Sequence, residues 1–220
     1  MIIAIDGPAG AGKSTVAKIL AKKLGFLYID TGSMYRALTL KALENNVSVN
    51  DEQGIIQLAQ SVKIDLHNNP DGSLTVMLDG KDVSLAIRQV RITQFVSDVA
   101  KIKGVRLVLV KMQRELGQKG NCVLDGRDIG TVVFPDATKK FFIDASVEVR
   151  VNRRFKELQG LGQSVAENVV ANDLAHRDKI DSTRETSPLR QAPDAIYVDT
   201  TNLSIEQVVQ MLIDLCKING

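Results

Sequence analysis

The chain has 220 residues, 44% hydrophobic and 25% charged, with 28 Lys and Arg against 26 Asp and Glu for a formal net charge of +2. That suits one globular α/β domain with small insertions, and so even a charge balance gives no support to a general nucleic-acid or membrane-surface role. No apolar run reaches the roughly 18 residues of a membrane helix and the opening lacks the layout of a signal peptide, so the cytoplasm is the expected compartment.

Ile2, Ile3, Ala4 and Ile5 form a short apolar run, the pattern of a strand buried on both faces of a parallel sheet. Gly7-Pro8-Ala9-Gly10-Ala11-Gly12-Lys13-Ser14 follows, with Thr15 next, and matches the phosphate-binding P-loop pattern at each fixed position. The glycines let the backbone wrap a polyphosphate with its N–H groups inward, and a helix starting near Lys13 adds its positive end. Lys13 is placed to reach the β- and γ-phosphates of ATP, and the Ser14 hydroxyl to meet Mg²⁺. By composition alone the fixed positions arise by accident in roughly one chain of this length in a hundred. The strand before and the helix after supply the required context.

Val16, Ile19, Leu20 and Leu24 mark one helix face, ended by Gly25. Residues 26–29 read as a second buried strand, and a helical pattern runs from Asp30 through Met34, Leu38 and Ala42. Thr31, Gly32 and Arg36 stand at that strand's C-terminal end, where ligands bind in open α/β sheets. On spacing alone Arg36 reads as a surface helix residue or as a ligand for a second phosphate. Residues 62–83 alternate apolar and polar around Asn69-Pro70-Asp71-Gly72 and Asp79-Gly80, a small antiparallel meander expected to stand apart as a flap.

Residues 121–125, 139–144 and 195–199 read as further core strands, and residues 205–218 as a closing helix. Cys122 and Cys216 are too few and too distant for a zinc cluster or a disulfide framework and read as buried free thiols. Asp125 ends the third core strand, where P-loop enzymes place a carboxylate near Mg²⁺, and Arg127 and Asp128 follow in the same presumed cleft. Arg150, Arg153 and Arg154 share a helix face, either solvated or turned to the nucleotides, beside a glycine-bearing stretch at 159–162. Ser164-Val165-Ala166-Glu167 has the form of a capping box. If the helix it starts runs on, Arg177, Asp181 and Arg184 extend the stripe of Val170 and Leu174 into a polar cleft. His67, in a turn, and His176 belong to no nucleophile pattern and read as solvent-facing. No guanine-reading Asn/Thr-Lys-x-Asp motif occurs, which weighs against a GTPase switch.

Taken together these segments resemble the bacterial-type cytidylate kinases within the P-loop nucleoside monophosphate kinases. The likeness spans nearly the whole chain and is most specific over Asp125-Gly126-Arg127-Asp128-Ile129-Gly130-Thr131 and its continuation to Ala137. Residues 30–36 and Ser187-Pro188-Leu189 support it, as does the 62–83 meander, which resembles the insert absent from eukaryotic UMP/CMP kinases. The resemblance implies an α/β P-loop three-layer fold with a five-stranded parallel sheet, a small antiparallel insert and a helical lid. It implies one domain, with an acceptor-binding insert at 60–95 and a lid at 150–165.

The activity implied is transfer of the γ-phosphoryl group of ATP to CMP or dCMP with Mg²⁺, by a monomer with no nucleic-acid or membrane partner. By motif, residues 7–15 hold ATP, and Ser14 and Asp125 the metal. Arg36 and Arg127 take the acceptor phosphate, Thr31, Arg177 and Asp181 lie around ribose and phosphate, and Arg184 is nearby. Ser97, Arg106 and Asp128 read cytosine, while Arg150, Arg153 and Arg154 open the lid. Chemically this is sound: cytosine offers an amino donor and two acceptors, and transfer between two anions needs positive charge and in-line placement. Asp128 and Asp125 are candidates for a general base by location only. Two alternatives remain, another monophosphate or small-metabolite kinase on this fold and a non-catalytic nucleotide-binding regulator. The second has no use for a second arginine-lined phosphate site.

Overall fold

Strand β1 (Ile2–Asp6) feeds the glycine loop, α1 (Lys13–Leu24), β2 (Leu27–Asp30), α2 (Thr31–Glu44) and α3 (Glu52–Ser61). The insert follows as β3 (Ile64–Asn68), β4 (Leu74–Leu78) and β5 (Lys81–Asp82), then a 3₁₀ turn at Ala86–Arg88, α4 (Val90–Lys101) and α5 (Lys103–Gly117). The chain closes with β6 (Cys122–Gly126), a π-turn at Ile129–Val133, β7 (Lys139–Asp144), α6 (Val147–Gly160), α7 (Glu167–Thr183), β8 (Ile196–Asp199) and α8 (Ile205–Lys217). This computed structural model describes residues 1–217, so Ile218, expected in the last helix, lies outside the described residues.

Five strands form a parallel sheet in the order β2-β6-β1-β7-β8. The chain fills one side of β1, then crosses to the other, and such a switch leaves a crevice at the strand ends. There the glycine loop sits. Alternation along β1 explains its burial: Ile3 and Ile5 pack with Val16, Leu20, Phe141 and Leu212 on one face, and Ala4 with Ile29, Leu124 and Val133 on the other. Leu20 is fully buried, and trimming such a side chain to Ala costs about 2–5 kcal/mol.

The meander is present as an antiparallel β3-β4-β5 sheet, with Ile64 opposite Leu78 and Leu66 opposite Val76. It does not stand apart. Ile64, Val76 and Leu78 bury into one cluster with Met34, Leu38 and Ile92 from α2 and α4. Each such side chain contributes about 1.5–3 kcal/mol by leaving water, more than a free flap could forgo. Its turn also reaches α1, where Lys22 Nζ donates to the Asp71 carbonyl at 2.7 Å. His67 lies in β3 rather than in a turn, though it is exposed as expected, as is His176.

Two smaller expectations change. The helix after residue 164 begins at Glu167 with Ala166 as its N-cap and no side-chain cap, so Ser164 closes no capping box. Val165 instead packs with Val170 and Leu174, and this apolar contact fixes the entry of the chain. Cys122 is buried and free, with burial pushing its thiol up to about 11, whereas Cys216 is only half-buried.

Candidate active site

The glycine loop is shaped by its neighbours as much as by its own sequence. Gly7 and Gly10 have φ of 147° and 76°, and a Cβ would stand 2.0 Å from the Ile143 carbonyl oxygen and 2.9 Å from that of Arg150. No side chain fits either place. Lys13, buried, donates from Nζ to the Pro8 carbonyl at 2.5 Å. Burial, then the neighbouring Arg127, holds its ammonium well below the ordinary lysine range.

The three arginines of α6 do different things. Arg150 is buried, donating to the carbonyls of Ala145 at 3.1 Å and Ala9 at 3.0 Å and pairing with Asp178. Asp178 in turn accepts the Ala9 N–H at 3.1 Å. Arg150 therefore braces the loop from behind and is absent from the cleft lining, where a nucleotide-facing lid arginine was expected. Arg153 lines the cleft yet is also a brace, reaching the Ala11 carbonyl at 3.2 Å and the Thr200 carbonyl at 2.8 Å. Arg154 crosses to α4, donating to Thr93 Oγ1 at 3.2 Å, with its buried Nε unpartnered.

A carboxylate cluster closes the loop's far end. Asp125 Oδ2 accepts from the Ser14 hydroxyl at 2.7 Å and Oδ1 from the Tyr28 hydroxyl at 2.8 Å. Burial, followed by the charge of Asp30, pushes the Asp125 carboxyl up to about 6. Asp30 caps α2 through the Ser33 N–H at 2.8 Å and pairs with Arg36 at 3.0 Å. Thr31 spends its hydroxyl proton on the Asp125 carbonyl at 2.7 Å.

Beyond them lies a buried ionic lattice. Arg127 donates to Asp181 at 2.9 Å, and Ser97 reaches the same carboxylate at 3.5 Å. Arg106 pairs with Asp128 and stacks its guanidinium 5.4 Å from the Tyr35 ring centre. Arg184 stands 3.7 Å from both Asp128 and Asp181. Burial opposes ionisation of Asp181, yet Arg127, Arg184 and Arg177 hold its carboxyl below the usual range. Arg177 is pushed down to about 10 by burial and then by Arg127, and remains cationic at neutral pH. The Nε atoms of Arg36, Arg106 and Arg177 are buried without a protein partner.

One cleft of about 650 Å³ joins the loop, the carboxylates and this lattice. It is lined by Lys13, Ser14, Thr31, Arg36, Ser97, Arg106, Asp125, Arg127, Asp128, Arg177, Asp181 and Arg184. Sequence reasoning missed Asp6, Tyr28, Asp178 and Thr200. Only Asp6 carries a local signal, a charge closing an apolar strand. Among the described residues no helix is long and apolar enough to cross a membrane.

The cytidylate kinase family profile matches residues 3–218. The chain belongs to the cytidylate kinase family. The cytidylate kinase of Clostridioides difficile (strain 630) is 49% identical over 219 residues, 100% of this chain and 98% of that one. Those of Bacillus velezensis, 50% identical over 215 residues, and Caldanaerobacter subterraneus subsp. tengcongensis, 52% over 217, are covered to 96% and 95% and cover 98% and 99% of this chain. Shikimate kinase from Bacteroides thetaiotaomicron shares the fold alone, with a TM-score of 0.50 at 15% identity over 99% of both chains. The chain thus joins a kinase fold built on a five-stranded parallel sheet to a small antiparallel three-stranded sheet.

Proposed function

We propose that this cytidylate kinase family member transfers the γ-phosphoryl group of ATP to CMP or dCMP, releasing ADP and CDP or dCDP. One observation supports the reading most. A phosphate loop and a second group of buried, incompletely partnered arginines face one cleft of about 650 Å³. A buried donor without a partner costs about 1–3 kcal/mol, and phosphate and base oxygens are acceptors suited to it.

In this reading residues 7–15 hold the ATP phosphates, Arg36 and Arg127 the acceptor phosphate, and Thr31, Arg177 and Asp181 the region of ribose and phosphate. Ser97, Arg106 and Asp128, with Arg184 behind them, meet cytosine. Arg153 and Arg154 face the transferred group, and Arg150 acts through the loop. Ser14 and Asp125 offer a hard, all-oxygen donor pair that fits Mg²⁺. Bound there, the cation would neutralise charge on the β- and γ-phosphates. Lys13 and the arginines orient the two anions in line and exclude water. The chain works as one domain, with its insert at 60–95 and its lid at 150–165, as a cytoplasmic monomer.

The test is ADP release from Mg²⁺-ATP across CMP, dCMP, UMP, AMP, dTMP and shikimate. CMP and dCMP should turn over best, and ATP alone should be hydrolysed at least about 100-fold more slowly. Fast ATP hydrolysis indifferent to CMP would sink the kinase reading, and equal use of UMP the specificity.

A further inference from the structure

Asp6 ends β1 immediately before Gly7, is buried, and takes no part in the cleft lining. Its Oδ1 accepts the Ile129 N–H at 2.8 Å and its Oδ2 the Gly130 N–H at 2.7 Å. These are the first two N–H groups of the π-turn Ile129–Val133. At the other end Arg114 donates from Nε to the Val133 carbonyl at 2.8 Å and from Nη2 to the Val132 carbonyl at 2.7 Å. The turn is thus held by a carboxylate at its N–H end and a guanidinium at its carbonyl end, the sense its peptide dipoles favour.

The turn begins directly after Arg127 and Asp128, so whatever fixes Ile129 fixes them. Holding a carboxylate here is costly. Burial pushes the Asp6 carboxyl up to about 7, against the two N–H bonds, with Asp128 adding repulsion and Lys13 attraction. The stem of Lys140 lies beside Gly130, so that a Cβ there would stand 3.1 Å from Lys140 Cδ and 3.4 Å from Asp6 Oδ2. A neutral side chain would be cheaper to bury, and a locally unfavourable choice points to the site it serves.

We infer that Asp6 is a positioning residue for the acceptor nucleotide, gripping Ile129 and Gly130 so that Arg127 and Asp128 stand in register with the phosphate loop. Because Asp6 abuts the loop through the backbone, one residue sets the spacing between the donor and acceptor sites. A misplacement on the order of 1 Å between reacting groups is costly even when its origin is remote. The inference rests on the cytidylate kinase reading above.

The test compares wild type, Asp6→Asn and Arg114→Gln at pH 8, measuring rates over CMP and, separately, ATP binding without acceptor. Asparagine offers one acceptor and turns an N–H group toward the second backbone donor, so the turn loses half its anchor. In Asp6→Asn the KM for CMP should rise about tenfold or more, kcat should fall by less, and the Kd for ATP should stay within about twofold. The Ile129 and Gly130 amides should exchange faster with solvent. Arg114→Gln, at an exposed position, should raise the KM for CMP about two- to fivefold and decides the matter if Asp6→Asn does not fold. An unchanged KM for CMP in either folded variant overturns the inference. So does equal weakening of ATP and CMP, which assigns Asp6 to the donor loop. A wild type inert toward CMP overturns the cytidylate reading and this inference with it.

Discussion

Asp128 is held between Arg106, with which it pairs, and Arg184 at 3.7 Å, all three buried. A carboxylate so placed has lone pairs to spare for the amino group of cytosine, whereas uracil would present an oxygen there. Asp128→Asn should therefore narrow the preference for CMP over UMP by about 1–3 kcal/mol, the scale of one good base-edge contact. The same change leaves two buried guanidiniums short of a counter-charge, so a lower unfolding midpoint in urea should accompany it. Ratios of kcat/KM for the two substrates decide the point: an unchanged ratio removes Asp128 from base recognition and leaves it a structural counter-ion. At this scale legibility followed contiguity. The P-loop and the Asp125–Thr131 stretch could be read because their chemistry lies in consecutive residues. Asp6 shows only a charge closing an apolar strand and Asp178 not even that, since their partners Ile129 and Ala9 lie 123 and 169 positions away. A lone carboxylate carries no sign of what it will grip.

Elements show the same division. Strands were legible from periodicity, and the turns of the insert from their Asn, Pro, Asp and Gly content. What periodicity could not give was docking. β2 is an edge strand of the parallel sheet, and Asn68 at the end of β3 covers it, accepting the Tyr28 N–H at 2.9 Å and donating to the Tyr28 carbonyl at 3.0 Å. One amide side chain thus stands in for a neighbouring strand. Tyr28 in turn donates to Asp125, so the insert is tied to a proposed metal ligand. Asn68→Ala should cost about 1–2 kcal/mol, because water replaces part of what the amide supplied. It should also speed hydrogen exchange at the Tyr28 amide, and unchanged exchange there would mean that the pairing contributes nothing in solution. The α6 arginines teach the complementary lesson. Their spacing puts all three on one helix, but arginines at i, i+3 and i+4 are long enough to reach different partners, and two of the three turn back to the glycine loop.

For the molecule as a whole, the decisive feature is that its parts share cores. The insert contributes to the same apolar cluster as α2 and α4, and Leu74 on β4 also packs against the cluster beneath the central sheet. A chain so joined should unfold in one transition, and ligands that bridge its cleft should stabilise all of it. On the proposed site assignment each nucleotide alone would satisfy one group of cations, whereas a dinucleotide in which adenosine and cytidine are joined by a polyphosphate would satisfy both while paying once for immobilisation. At 100 times its Kd a single ligand adds about 2.7 kcal/mol to stability. For a protein of this size that is a rise in Tm of about 5–11 °C, since 1 kcal/mol shifts Tm by about 2–4 °C. At equal free concentrations well below the roughly millimolar effective concentration that the link supplies, the bridging compound should raise Tm further than ATP and CMP do together. Calorimetric melting with each ligand measures this. If the bridging compound stabilises no more than ATP alone, the loop and the arginine lattice are not two halves of one site. Two separate melting transitions would show instead that the insert and the sheet are independent bodies despite their shared packing.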